Sequence, residues 1–225
     1  MTHTLHRLGN PNNLHDDYVV LAIPAKGIND DGAHKGLRRF MELAFELEPV
    51  NAGDVKTGNI FTHSREEILA GIQDVTAVHA VFTEKGKVVE LLKRVREADL
   101  GISIVVSGLF DQVGDCANQA GLSQHTTESS LGVWGRVDRL PDADVLQVTT
   151  MCGHGLIAPN TVKRVAREVR LGRVTSEGAA IHLARTCVCG VFNPVRAARL
   201  LQGIATQSGA RELQAHVAIG QTSFE

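Results

Sequence analysis

The stretch AVHAVFTEKGKVVELLKRVREADLGISIVVS, from Ala77 to Ser107, decides how the fold is read. Ala77 to Thr83 is an apolar run of strand length, and Gly101 to Ser107 is a second one rich in β-branched residues. Between them, Val88, Leu91, Leu92 and Val95 recur at helical spacing over Lys85 to Ala98, and the charged positions form a solvated opposite face. A helix joined by short loops to a buried strand on each side predicts a βαβ unit with a right-handed crossover.

Working toward the N-terminus, Tyr18 to Ile23 (YVVLAI) is another continuous apolar run, closed by Pro24. Ala33 to Leu47 predicts a helix on Leu37, Phe40, Met41, Ala44 and Leu47, stopped by Pro49. Asn51 to Asn59, with Gly53 and Gly58, reads as a loop. Ser64 and Glu67 form a capping box that opens a helix to about Ile72. The first 16 residues show no period and read as a loose arm.

Toward the C-terminus, Gly108 permits a turn into a helix over Leu109 to Ala120. Ser123 to Ser130 is a polar loop, and strands are expected at Leu131–Trp134 and at Asp144–Thr150 (DVLQVTT). The alternation of strands and helices predicts an α/β fold, a mostly parallel sheet flanked by helices, with residues 1–150 as the body. The alternative is an α+β sandwich, because no helix separates the two later strands.

Residues 151–225 form a helical C-terminal segment, in which the cysteines set the chemistry. Met151-Cys152-Gly153-His154-Gly155 follows the last expected strand, and Cys187-Val188-Cys189-Gly190 comes later, ahead of Asn193 and Pro194. Pro159 to Gly172 carries a helical stripe of Val162, Val165, Ala166 and Val169; Thr175 or Ser176 caps a second helix running to about Arg185. Helices of roughly 12 and 10 residues run out about 18 Å and back about 15 Å, so a helical hairpin would return Cys187 to Cys152. Gly153, Gly155 and Gly190 let the backbone bend closely around a bound group, the cofactor-binding role expected of them.

Three sulfurs and an imidazole are soft donors, which favours iron–sulfur or zinc over magnesium or calcium. A [4Fe-4S] cluster would take Cys152, Cys187 and Cys189 and leave one iron open, with His154 as fourth ligand or as an acid/base group. His125 and Glu128, in the polar loop, are candidates for a second catalytic pair. The function expected first is a lyase, dehydratase or desulfuration enzyme acting without net redox change on a small polar molecule. Zinc on Cys152, His154, Cys187 and Cys189 is the alternative and would make a stapled binding or accessory protein. A metal-free hydrolase with Cys152 as nucleophile is a third reading, although Thr150 stands where a G-x-S/C-x-G elbow has its first glycine.

The remaining features are bland. Cys116 and His79 read as core and sheet residues, and the Lys26-Gly27 turn matches no phosphate-loop pattern. A net charge of −2 gives no general attraction to nucleic acid, and 4% aromatic residues make a poor base-stacking surface. With no secretory signal, no membrane-length apolar run and no disulfide framework, a cytoplasmic protein is expected, acting on a small molecule without nucleic-acid or membrane partners. Self-association is left open, as is the structure of Ala205 to Glu225.

Overall fold

A computed structural model describes residues 4–221, with residues 208–221 described by backbone alone. The parallel sheet is overturned: the five strands pair only antiparallel, in the order β3-β2-β4-β1-β5. They are β1 (Tyr18–Ile23), β2 (Asn51–Asp54), β3 (Gly58–Asn59), β4 (Val78–Phe82) and β5 (Ser103–Ser107).

The Ala77–Ser107 stretch shows the reason. β4 and β5 do run the same way and are joined by helix α4 (Lys85–Ala98), but β1 lies between them and runs opposite to both. In the same way β1 and β2 run together with β4 between them, linked through α2 (His34–Glu46). The two split units interlock, the plan known as split βαβ. Continuous apolar strands report burial on both faces, whatever the direction of the neighbours.

Both faces are covered. Tyr18, Val20 and Ala22 point into a core shared with Leu37, Phe40 and Met41 of α2, Val88, Leu91 and Leu92 of α4, and Cys116 of α5 (Phe110–Gln119). Val19 and Val81 face a second core made with α6 (Ala143–Thr149), α7 (Pro159–Arg170), α8 (Ser176–Thr186) and α9 (Pro194–Gln221). Helix α3 (Arg65–Gly71) carries the expected capping box, with both Ser64–Glu67 bonds formed.

Three local expectations are corrected. Asn51–Asn59 is a hairpin of β2 and β3 rather than a loop, and Gly53 is needed there because a Cβ would come within 2.5 Å of the Gly58 carbonyl oxygen. Leu131–Trp134 is exposed coil, and Asp144–Thr150 lies in α6 and its C-cap, not a strand. Buried Val145, Val148 and Met151 are three apart, a helical stripe that the β-branched composition disguised. Helix α9 extends to Gln221; residues 222–225, like 1–3, lie outside the described residues. Among the described residues no helix is long and apolar enough to cross a membrane.

The N-terminal arm is tied down from Thr4 onward. It includes a short helix, α1 (Pro11–Leu14), capped by Asn10. It is held by polar side chains, which leave no hydrophobic period to read.

Candidate metal centre

The two cysteine segments meet. Helix α6 ends in a turn in which the Cys152 N–H bonds to the Thr149 carbonyl at 3.1 Å and the Gly155 N–H returns to the Cys152 carbonyl at 3.1 Å. Pro159 then starts α7, and Gly172, at φ +67°, follows its C-cap, Leu171. Thr175 caps α8 by accepting from the Gly178 N–H at 3.1 Å. The chain leaves α8 at Cys187 and turns through Gly190, whose N–H bonds to the Cys187 carbonyl at 3.0 Å.

Cys152, Cys187 and Cys189 are all buried in the core shared with α6–α9, and Cys187 hydrogen-bonds to both of the other thiols. His154 stands exposed at the solvent side with its Nδ1 3.6 Å from Cys189 Sγ. The bonds run in a row, Cys152 to Cys187 to Cys189 to His154. Among the described residues, no group of three or more His, Cys, Asp or Glu side chains is arranged to hold a metal ion as it stands.

The electrostatics divide the thiols. The bond from Cys187 holds Cys152 below the usual thiol range; burial opposes this, and the N–H groups of Leu156 and His154 add to it. Cys189 is lowered by the same bond from Cys187, against burial, and by the Val191 N–H. Cys187 is pushed up by its contacts with the Cys152 and Cys189 sulfurs and by burial, which disfavours its thiolate. Two thiols whose pKa is lowered therefore flank one whose pKa is raised. Each of the two lowered thiols receives backbone N–H bonds in a turn that contains a left-handed glycine, Gly155 at φ +69° or Gly190 at φ +77°. Gly153, between Cys152 and His154, is exposed.

The Cys187–Asn193 segment is pinned from the sheet. Asn59 of β3 donates to the carbonyls of Ala184 at 3.1 Å and Cys187 at 2.9 Å, and Asn51 of β2 donates to that of Phe192 at 2.8 Å. Both asparagines are fully buried. Asn59→Ala should cost about 1–3 kcal/mol, the penalty of stranding buried carbonyls. Urea denaturation reads it directly; a loss under about 0.5 kcal/mol would mean those carbonyls find other donors.

A buried ion group closes the far side. Asp17 accepts from Arg7 Nη1 at 2.6 and 2.8 Å and from Arg196 Nη1 at 3.1 Å, with Asn193 Nδ2 at 3.0 Å. Burial alone would raise the Asp17 pKa; the Arg7 and Arg196 guanidiniums outweigh it and hold the carboxyl below its ordinary value. Arg7 Nη2 also donates to the Val191 carbonyl and, at 3.4 Å, to that of Met151.

Of the residues singled out in the sequence, Cys152, Cys187, Cys189 and His154 are brought together. His125 and Glu128 are not joined to them: both are exposed in the coil after α5, where His125 Nδ1 bonds the hydroxyl of neighbouring Thr126 at 3.0 Å. Cys116 lies in the opposite core, and His79 is buried in β4. Arg7, Asp17, Asn51, Asn59 and Arg196 escaped the sequence reading. Asp17, Asn51 and Asn59 showed there only as polar residues in or beside segments that form strands, and Arg7 and Arg196 showed nothing. The chain matches no protein-family model, no curated protein and no solved structure.

Proposed function

We propose that this chain is a metalloprotein whose soft-metal centre is built from Cys152, Cys187, Cys189 and His154, holding a single zinc-like ion. The observation that carries this reading is the row of contacts through Cys187 and on to His154. Tetrahedral donors at zinc bond lengths stand about 3.6 Å apart for a sulfur–nitrogen edge, from roughly 2.3 Å for Zn–S and 2.0–2.1 Å for Zn–N. The Cys189–His154 separation is 3.6 Å. That contact matches one edge of such a tetrahedron, and the two thiol–thiol bonds bring the remaining sulfurs next to it. Taking up an ion requires the row to bend into a ring, a side-chain movement on two glycine-bearing turns. The ion would then staple two segments of the C-terminal lobe that lie more than 30 residues apart in sequence.

A [4Fe-4S] cluster is the second reading. The N–H groups directed at Cys152 and Cys189 favour it, because such bonds stabilise sulfur carrying negative charge. So does His154, exposed where a small polar substrate of a lyase-type reaction could reach it. A cluster holds its cysteines on separate irons, so the sulfurs would have to move apart to accept it. The metal-free hydrolase gains least support: Cys152 is 2% exposed, its side-chain partner is a thiol rather than a base, and the His154 ring bonds Cys189 instead.

Elemental analysis and a visible spectrum of anaerobically purified protein, wild type and Cys187→Ala, separate these readings. Stoichiometric zinc in a colourless protein, lost in Cys187→Ala, is expected. A brown protein containing iron and sulfide would replace zinc with the cluster. Wild-type protein free of both metals would end the metalloprotein reading.

A further inference from the structure

We propose that Arg7 is a positioning residue for the thiol centre: its guanidinium is the strut that keeps the Cys152 turn against the Cys187–Cys189 turn. The inference rests on reading these three thiols as one centre, and the contacts lead to it in three steps.

First, Arg7 bonds the backbone of both cysteine segments at once. Its Nη2 donates to the carbonyl of Met151, immediately before Cys152, and to that of Val191, two residues after Cys189. Val191 is also the residue whose N–H bonds the Cys189 sulfur. Second, the guanidinium is fixed from behind. Nη1 makes two bonds to Asp17, which Arg196 and Asn193 hold in turn, and the Arg7 side chain is 6% exposed. A planar fork with one nitrogen on a carboxylate and the other on two carbonyls cannot be copied by the single ammonium of lysine. Third, the rest of the arm engages the same two regions. The Leu8 N–H bonds Thr150 Oγ1 at 3.0 Å, and Asn13 Nδ2 bonds Gln147 Oε1 at 2.7 Å. On the other side Arg196 donates to the carbonyls of Leu8 at 2.6 Å and Asn13 at 2.8 Å. The arm is thus wedged between the two segments, with Arg7 touching both.

The test uses reduced, metal-free protein, so it does not depend on which metal binds. A diazenedicarboxamide oxidant takes one hydrogen from each of two neighbouring thiols onto its N=N bond and leaves a disulfide. Peptide mapping then gives the ratio of Cys152–Cys187 to Cys187–Cys189 linkages. The second linkage lies within one turn and is the internal control. Cys116, buried in the opposite core, reports folding through its protection from maleimide. Arg7→Ala and Arg7→Lys should each lower the ratio at least about fivefold, the weight of one net hydrogen bond, while Cys116 stays protected.

An unchanged ratio in either folded variant overturns the inference. Loss of Cys116 protection in both variants overturns it too, since Arg7 would then act through the whole fold. Wild-type protein that binds no metal but shows the expected ratios would sink the metal reading and leave the strut standing.

Discussion

Gly190→Ala is expected to lower stability by roughly 3–5 kcal/mol, combining left-handed strain on a residue with a Cβ and an unrelieved backbone overlap. Gly190 has φ +77°, and a Cβ there would lie 2.6 Å from both the Ala52 carbonyl carbon and the Gly53 nitrogen. Those atoms belong to β2, a strand pinned between β3 and β4, so they cannot yield as a flexible side chain would. The matched control is Gly155→Ala. It has a similar φ of +69° but nothing within 4 Å of the added carbon, so only the strain of roughly 1–2 kcal/mol should appear. Urea midpoints for the two variants separate the effects. Equal losses at both positions would show that strain alone is at work and that the Gly190 turn does not press on the sheet.

Asp17→Ala is the second large effect, at about 3–5 kcal/mol, because it leaves two buried guanidiniums without their shared carboxylate. The same group predicts an acid limb. The folded pKa of Asp17 is lowered relative to the unfolded chain, whose value is about 3.9. Its contribution to stability is therefore fully present above that value and is lost as pH falls through the lower, folded pKa. Urea titrations at neutral pH and near pH 3 should show wild type losing more stability on acidification than the variant. Parallel acid limbs would mean that Asp17 carries no such linkage.

How much of this was legible in the sequence can be argued residue by residue. Helices α2, α3, α4, α7 and α8 announce themselves through spacing and caps, and the meeting of Cys152 with Cys187 follows from the lengths of the last two. The strands at Tyr18–Ile23 and Val78–Phe82 are visible too, but their partners are not. An apolar strand covered on both faces reads the same in a parallel or an antiparallel sheet, so the insertion of β1 between β4 and β5 leaves no local trace. The hairpin at Asn51–Asn59 was hidden for the opposite reason. Of its buried positions, Asn51, Asp54 and Asn59 are polar and make hydrogen bonds, and only Ala52 joins the hydrophobic core. Arg7 and Arg196 gave no signal because a buried cation is recognisable only once its partners, ten and 179 residues away for Asp17, are in place.

That separation has a consequence for how the molecule is made. The Arg7–Val191 bond joins positions 184 residues apart, so the guanidinium waits for the whole intervening segment to be made before the pair can form. During synthesis Cys152 is made 35 residues before Cys187, with Arg7 already in place but one of its two backbone partners, Val191, still missing. An ion held as proposed would therefore be taken up only after Cys187 and Cys189 have been made, at the stage when the Arg7 guanidinium gains its contact with Val191.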